Sequence, residues 1–239
     1  MADARGRLPE AMAALPGDLA GRLWRDAATV RAKAGQTVLE IGAPSTQVYI
    51  VLEGKVQVAL YSLGGHEVIL RDLAAGALFG ELAAIDERPR SATITALSDC
   101  QLASLPASAF RAAVAESSDG ALWLAARLAM QIRSLTEKVF ELNALRVRER
   151  LHCELLRLCE GLDGQDATIE PCPTHAELAA RIGTHREAVT REMGFLAQRG
   201  IAVQRARQLT ITDLPALRQL VRDAVGGISI FEDADRDRR

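Results

Sequence analysis

The sequence lacks the features of several classes of protein. No apolar run in its 239 residues reaches the length of a membrane-spanning helix. The four cysteines show no paired Cys-x-x-Cys spacing, which argues against a disulfide framework, a zinc knuckle or a cysteine-ligated iron–sulfur cluster. Residues 1–17 contain no continuous apolar core of the kind that a secretion signal needs. These absences predict a cytoplasmic protein that does not enter a membrane.

Two further absences concern charge and catalysis. The formal net charge is -2, so no basic coat covers the whole protein and any nucleic-acid site must be local. The histidines are not spaced with a nucleophile in a recognisable catalytic pair, and no Walker-type phosphate loop is present. We therefore expect neither an enzyme, nor a metal site, nor a cofactor.

Residues 30–105 have the pattern of an all-β domain. Short apolar segments at 48–52, 56–60 and 92–97 alternate with glycines, which is the spacing of short antiparallel strands in a roll, barrel or sandwich. The Gly64-Gly65 pair between two such segments predicts a hairpin tip, because glycine accepts positive φ without steric cost.

A long helical segment follows. From Gly120 to Gly161 there is neither proline nor glycine, and apolar residues recur at alternating spacings of three and four. That register predicts a coiled-coil seam and hence a parallel homodimer. A single amphipathic helix packed against its own domain is the alternative. The residues expected at the dimer interface are Leu128, Ile132, Leu135, Val139 and Leu142.

The C-terminal part of the chain predicts a helix-turn-helix. Thr174 with Glu177 forms a capping box before an apolar face, and Gly183 interrupts that first helix. Thr184 is expected to cap a second helix that runs to about Gln198, with Glu187 at its third position. Two short helices around a glycine-containing turn are typical of this motif.

The local positive charge around the second helix indicates a nucleic-acid site. Residues 174–211 contain six arginines against three glutamates in a chain that is acidic overall. Arginine can donate two hydrogen bonds to guanine and glutamate can accept from cytosine, so these residues can read bases in a major groove. Segments 201–203 and 209–212 predict a β-wing after the helix. The expected DNA-binding residues are Thr174, Thr184, His185, Arg186, Glu187, Thr190, Arg191, Arg205 and Arg207.

A second constellation lies in the β domain. Gly80 lets a ligand approach the backbone, and the N–H groups of Glu81 and Leu82 can open a short helix toward an anion. Arg90 adds a bidentate cation matched to a phosphate, while the Glu81 carboxylate suits a sugar hydroxyl. A sugar phosphate fits this set. The alternative is a structural Glu81–Arg90 salt bridge.

These two motifs resemble a known family. Gly80-Glu81-Leu82 with Arg90-Ser91-Ala92 resembles the phosphate-binding cassette of cyclic-nucleotide-binding domains. Gly183-Thr184-His185-Arg186-Glu187 with Arg191 is similar to the recognition helix of the CRP/FNR superfamily of bacterial transcription regulators. The resemblance covers roughly residues 30–211, with the two motifs in the family's order.

The resemblance implies a set of roles. Cyclic AMP or cyclic GMP would act as an allosteric effector, and the dimer would bind a palindromic operator resembling TGTGA-N6-TCACA, with RNA polymerase as a further partner. Because leucine cannot hydrogen-bond an adenine amino group, Leu135 leaves cyclic GMP open as the effector. The residues implied to bind the nucleotide are Gly80, Glu81, Leu82, Arg90, Ser91 and Ala92 at its sugar phosphate, and Val58, Leu70, Leu73, Leu135 and Thr136 around its base.

The expected fold is therefore α+β: an N-terminal β-roll, a long dimerisation helix and a C-terminal winged helix-turn-helix. The expected boundaries are 1–118 for the sensor with an N-terminal helical segment, 119–146 for the dimer helix and 147–239 for the DNA-binding domain. Two rivals remain, a ligand-independent regulator and a haem or redox sensor of the same superfamily. The second would need an N-terminal cysteine cluster or placed axial ligands, and the N-terminus has no cysteine.

Overall fold

The computed structural model describes residues 8–44, 47–159, 162 and 164–226. The chain divides into two compact units, residues 1–130 and 131–239. Gly161, which ends the proline- and glycine-free stretch of the sequence, lies outside the described residues. Strands dominate the first unit and helices the second, so the expected α+β class is confirmed.

The N-terminal unit is a roll of two four-stranded antiparallel sheets. The first sheet has the order β1-β8-β3-β6 and the second β2-β7-β4-β5. The strands are β1 (Ala28–Ala32), β2 (Thr37–Leu39), β3 (Gln47–Glu53), β4 (Lys55–Tyr61), β5 (Glu67–Ala74), β6 (Leu78–Phe79), β7 (Thr93–Ala96) and β8 (Cys100–Pro106).

Helices cover one side of this roll and continue the chain beyond it. A 3₁₀ turn at Glu10–Met12 precedes them. Met12, Leu19, Leu23 and Phe110 from these segments are almost fully buried in a core shared with β3 and β8. The helices are α1 (Gly17–Asp26), α2 (Glu81–Asp86), α3 (Ala107–Glu116) and α4 (Gly120–Ala144), the last of which has residues in both units.

The interior between the two sheets forms as the alternation of apolar residues predicts. Val56, Val58 and Leu73 of the second sheet pack against Val51 and Leu102 of the first. Side chains alternate between the faces of a strand, so every second residue of these short segments is directed into this core. The expected hairpin tip is confirmed between β4 and β5, where Gly65 has φ of 76°.

The C-terminal unit combines helices with a small three-stranded sheet of order β10-β11-β9. Its core contains Leu151, Leu178, Val189, Leu196 and Leu217, all fully buried. Its elements are α5 (Val147–Leu158), β9 (Ala167–Ile169), α6 (His175–Ile182), α7 (Arg186–Gln198), β10 (Ala202–Arg205), β11 (Gln208–Ile211) and α8 (Leu214–Val225).

The helix-turn-helix forms with one correction to its caps. The Thr174 hydroxyl accepts from the backbone N–H of Glu177, and Gly183 ends α6 in the left-handed conformation, as expected. The second helix is not capped by Thr184. His185 occupies the N-cap position without a side-chain cap, because α7 begins at Arg186. Glu187 is therefore the second residue of α7 and not the third.

Two general properties of the chain follow from these elements. No helix within residues 8–44, 47–159 and 164–226 combines the length and apolarity needed to cross a bilayer. All four cysteines carry free thiols, and three of them are buried. Burial raises the pKa of the Cys153 thiol to about 12 and that of Cys159 to about 11, so both are unreactive at neutral pH.

Candidate functional sites

Gly80 joins β6 to α2 and is constrained in two ways. Its φ of 82° lies in the left-handed region that favours glycine. A Cβ added here would lie 2.7 Å from Arg90 Nη1 and 3.2 Å from the Gln47 carbonyl oxygen. Gly80, which the sequence predicts to let a ligand approach the backbone, thus also leaves the space that the Arg90 side chain occupies.

Arg90 and Glu81 are both buried, at 5% and 3% exposure. Arg90 Nη1 donates to the Gly80 carbonyl over 2.9 Å, and Nη2 donates to the Gln47 carbonyl over 2.5 Å. Its Nε finds no acceptor among the described residues. Burial lowers the pKa of Arg90, and Tyr49 and Glu81 oppose that change. The guanidinium is thus positioned by backbone carbonyls, beside a buried carboxylate.

The remaining cassette residues differ in exposure. Ser91 is exposed, while Ala92 is half-buried and packs against the interior of the roll. The Leu82 side chain is 41% exposed on α2. The role that the sequence assigns to Leu82 uses its backbone N–H and does not depend on this side chain.

The three strand residues expected to surround the base lie in one place. Val58 and Leu73 are buried in the interior of the roll, and Leu70 packs against them. Val58 pairs with Arg71 and Ala59 with Ile69, which leaves Leu70 as an unpaired bulge residue. Residues directly opposite each other share a face of the sheet, so Arg71 is directed to the interior beside Val58.

A second unpredicted arginine lies behind the cassette. Arg127 of α4 donates from Nη2 to the Leu78 carbonyl over 2.7 Å, two residues before Gly80. Burial lowers the pKa values of Arg71 and Arg127, and the Glu81 carboxylate opposes the shift in both. A charged residue at an inward position of an apolar strand was the available sequence signal for Arg71.

Four of the nine residues predicted to bind DNA lie together on α7, and Thr174, Thr184, His185, Arg205 and Arg207 lie outside this group. A single concave face of α7, here called the α7 surface, is lined by Arg186, Glu187, Thr190, Arg191, Gly194, Phe195 and Gln198. All of them are exposed, whereas Val189, Met193 and Leu196 anchor the opposite face in the core. The helix therefore presents two arginines, a glutamate and a hydroxyl to the outside, with Phe195 and Arg199 stacked beside them at 4.6 Å.

The predicted wing is present and is tied to the first turn of α6. Arg205 ends β10, and Arg207 follows in the tight turn to β11, where Ala206 has φ of 51°. His175 contacts both neighbouring elements: Nδ1 lies 2.8 Å from Thr190 Oγ1, and Nε2 lies 2.9 Å from Gln204 Oε1. His175, which the sequence reading did not single out, thus fixes the wing relative to the α7 surface.

A buried group of charges, here called the ion cluster, joins three helices of the C-terminal unit. It comprises Lys138 and Glu141 of α4, Glu154 and Arg157 of α5, and Arg181 of α6. Glu154 lies 2.7 Å from Lys138 Nζ, 2.6 Å from Arg157 Nη1 and 3.6 Å from Arg181 Nη1. Arg157 also pairs with Glu141. The sequence reading missed this cluster, because its members are distant in the chain.

The last turn of α4 also reaches the turn of the helix-turn-helix. Arg150 donates to the Leu142 carbonyl over 3.3 Å and to the Gly183 carbonyl over 3.2 Å. A Cβ on Gly183 would lie 3.0 Å from Leu142 Cδ2. Within this unit, α4 and the α6–α7 turn are therefore in direct contact.

The expected dimer seam is largely uncovered. Ile132 is 64% exposed, Leu135 53%, Val139 60% and Leu142 48%, while Leu128 is half-buried. The Thr136 hydroxyl donates to the Ile132 carbonyl over 2.9 Å. The expected contact of Leu135 and Thr136 with a nucleotide base stays a prediction.

Two family models match the chain in the order of its two units. Residues 29–117 match the cyclic nucleotide-binding domain, and residues 149–220 match the Crp-like helix-turn-helix domain. These ranges contain the Gly80–Ala92 cassette and the α6–α7 pair respectively.

Individual relatives agree with the models. The chain is 34% identical to the cyclic AMP receptor protein of Thermus thermophilus over 70% of its own length and 76% of that protein. It is 26% identical to a CRP-like cAMP-activated global transcriptional regulator of Mycobacterium tuberculosis, over 79% and 85% of the two chains. Among solved structures, a CRP/FNR-family transcriptional regulator of Thermus thermophilus aligns with a TM-score of 0.67 at 28% identity, over 82% and 100% of the chains.

Proposed function

Because this chain belongs to the CRP/FNR family of DNA-binding transcription regulators, which are not enzymes, we propose that it acts as a cytoplasmic homodimer. In this proposal a cyclic nucleotide binds the N-terminal roll as an allosteric effector. The two α7 helices of the dimer read a palindromic operator, and RNA polymerase is the further partner. The observation that carries the proposal is the exposed α7 surface beside an arginine-tipped wing.

The α7 surface supports sequence-specific binding through its residue types. Arg186 and Arg191 each offer the fork that pairs with guanine O6 and N7, and Glu187 can accept from a cytosine amino group. In this proposal the wing arginines, Arg205 and Arg207, contact phosphates beside the groove. A dimer places two such helices about one helical turn of DNA apart, so we propose a site resembling TGTGA-N6-TCACA.

Arg186→Ala tests the base-reading role. Loss of one bidentate arginine is expected to weaken binding at the operator by about 1–3 kcal/mol and to relax the preference for one guanine in each half-site. Selection of duplexes from a random library, followed by fluorescence anisotropy, measures both effects.

Arg222→Ala is the matched control, because Arg222 lies on α8 and bonds only its neighbour Gln219 among the contacts of the described residues. This variant should keep wild-type affinity and preference. An Arg186→Ala protein that selects the same guanine as the wild type would contradict the assignment.

The effector is proposed to be a cyclic nucleotide with guanine favoured over adenine. Arg71 lies opposite Val58 on the inner face of the roll. A guanidinium can donate to O6 and N7 of guanine, whereas adenine presents an amino donor in place of O6. The names of the relatives support cyclic AMP instead. Calorimetric titration with both nucleotides tests this assignment. Tighter binding of cyclic AMP would contradict the preference for guanine but not the proposal that a cyclic nucleotide is the effector.

A ligand-independent regulator remains a second candidate, favoured by one observation. Two of the Arg90 nitrogens already donate to protein carbonyls, so the side chain is ordered without a phosphate. The same titration separates the candidates. Absence of heat and of any change in operator affinity with either nucleotide would favour ligand independence.

The dimer is supported by the exposed seam of α4. Four consecutive seam residues, from Ile132 to Leu142, are about half or more exposed. A contiguous apolar surface of this kind marks a protein–protein interface, and the three-and-four spacing suits a second copy of the same helix.

Val139→Glu is expected to convert the dimer to a monomer, since it places two like charges against each other in a desolvated seam. Analytical ultracentrifugation should show about half the wild-type mass, and operator affinity should fall because one half-site is lost. Ala126→Glu adds the same charge on the opposite, exposed face of α4 and should remain dimeric. If the Val139→Glu protein stayed dimeric, the seam of α4 would not be the dimer interface.

A further inference from the structure

Gly194 occupies an unusual position in α7. It is the ninth residue of a thirteen-residue helix and is exposed. Glycine in a helix interior lowers stability relative to alanine, because the unfolded chain has more conformations to lose. A glycine at such a position is usually explained by a positive φ or by a close neighbour within the protein.

Neither explanation applies to Gly194. Its φ is not among the positive values of the chain, where Gly183 and Gly200 on either side of α7 are found. A Cβ built on Gly194 would meet nothing within 4 Å. Among the described residues Gly194 therefore relieves no contact, which is also true of Gly21 in α1. What distinguishes Gly194 is its place on the α7 surface.

The surroundings identify what approaches it. Gly194 lies on the α7 surface between Arg191 and Gln198, in line with Glu187 at spacings of three, four and seven residues. Phe195 forms the adjacent wall, with the Arg199 guanidinium stacked on its ring at 4.6 Å. The missing side chain makes a depression in a surface whose other members can pair with nucleic acid.

We propose that the deoxyribose–phosphate wall of the major groove packs directly against the backbone of α7 at Gly194. This contact would not depend on the DNA sequence. This inference rests on DNA reading by α7. A side chain at 194 would hold the helix backbone away from the sugar–phosphate wall and weaken the packing there. Because sugar and phosphate contacts position a helix without reading sequence, the preferred sequence should not change.

Gly194→Ala tests the proposal with two measurements. The fold should become more stable, with Tm higher by about 2–6 °C. Affinity for the duplex that the wild type selects from a random library should fall about ten-fold, because that close packing is lost. The slope of log K against log salt should stay unchanged, because no charge is altered. Gly194→Met should lower the DNA affinity further, because the methionine side chain is longer than that of alanine.

Gly21→Ala is the matched control. Gly21 is also exposed inside a helix, α1, and an added Cβ there meets nothing within 4 Å. This variant should gain stability and keep wild-type DNA affinity. A destabilised Gly194→Ala protein, or one that binds the selected duplex as tightly as the wild type, would overturn the proposal. If the wild type selects no duplex at all, the proposed function fails first.

Discussion

Replacing Glu154 by glutamine is expected to cost about 3–5 kcal/mol of the free energy of unfolding of the C-terminal unit. Glu154 is 4% exposed and contacts Lys138, Arg157 and Arg181. The amide would leave these cations in a protein interior with the Glu141 carboxylate as their remaining partner in the ion cluster. The size of the effect comes from several cations that share one carboxylate of the ion cluster, more than from the lost attraction itself.

The pKa values of the two carboxylates of the ion cluster are shifted in opposite directions, so their protonation has opposite effects on stability. Burial opposes ionisation of Glu154, but Lys138 and Arg157 outweigh it, so its pKa lies below the ordinary value of 4.5. The stability that Glu154 contributes is therefore present above pH 4.5 and is lost as the pH falls through its lowered pKa. Burial raises the pKa of Glu141, so protonation of Glu141 at mildly acid pH relieves a cost.

Native-state hydrogen exchange measures each change in the unit that contains it: the α5 and α6 amides for Glu154→Gln, and the α1 and α3 amides for its control. Glu116→Gln provides the control, because Glu116 pairs with Arg22 over 2.5 Å while 65% of its side chain is exposed. Such a surface pair is expected to be worth only about 0–1 kcal/mol. If Glu154→Gln changed exchange no more than this control, the ion cluster would not be a stabilising element.

Arg90→Gln is expected to weaken cyclic-nucleotide binding about 100-fold, since it removes the positive charge proposed to hold the phosphate. Arg90→Lys should fall between this variant and the wild type, because an ammonium keeps the charge without the bidentate geometry. Isothermal titration at fixed salt gives these affinities, and thermal melting reports whether the buried substitution leaves the roll folded.

Arg31→Gln controls for the loss of a positive charge, because Arg31 lies exposed on β1. Its nucleotide affinity should equal that of the wild type. Arg71→Leu serves a separate purpose: we expect it to reduce the preference between guanine and adenine while leaving phosphate recognition in place. A folded Arg90→Gln protein with wild-type affinity would contradict the assignment of the cassette.

The elements that could be predicted from the sequence are those specified by local chemistry. The Thr174 capping box and the glycine at 183 define α6 from a few neighbouring residues, and both form as expected. The strands were predictable because glycines punctuate short apolar segments with a period of two. The α7 surface followed from helical periodicity, which separates its reading residues from buried Val189 and Met193.

The features that could not be predicted depend on pairing between distant segments. The bulge at Leu70 arises from the register of β5 against β4, which no pattern within either strand reports. The same register directs Arg71 inward. The ion cluster requires three helices to meet, and no pattern within one helix reports that. The N-cap of α7 is His185 and not the predicted Thr184. Two adjacent polar residues before a helix do not by themselves define which of them is the cap.

The contact between Gly183 and Leu142 makes two sequence positions interdependent. Gly183 has φ of 63° and leaves 3.0 Å between a hypothetical Cβ and the Leu142 methyl, while Leu142 is itself half exposed on the seam. A side chain at position 183 would therefore meet Leu142, and a larger side chain at position 142 would meet the α6–α7 turn. Residue 142 is thus restricted on both sides, by the turn within the chain and, in the proposed dimer, by the partner helix.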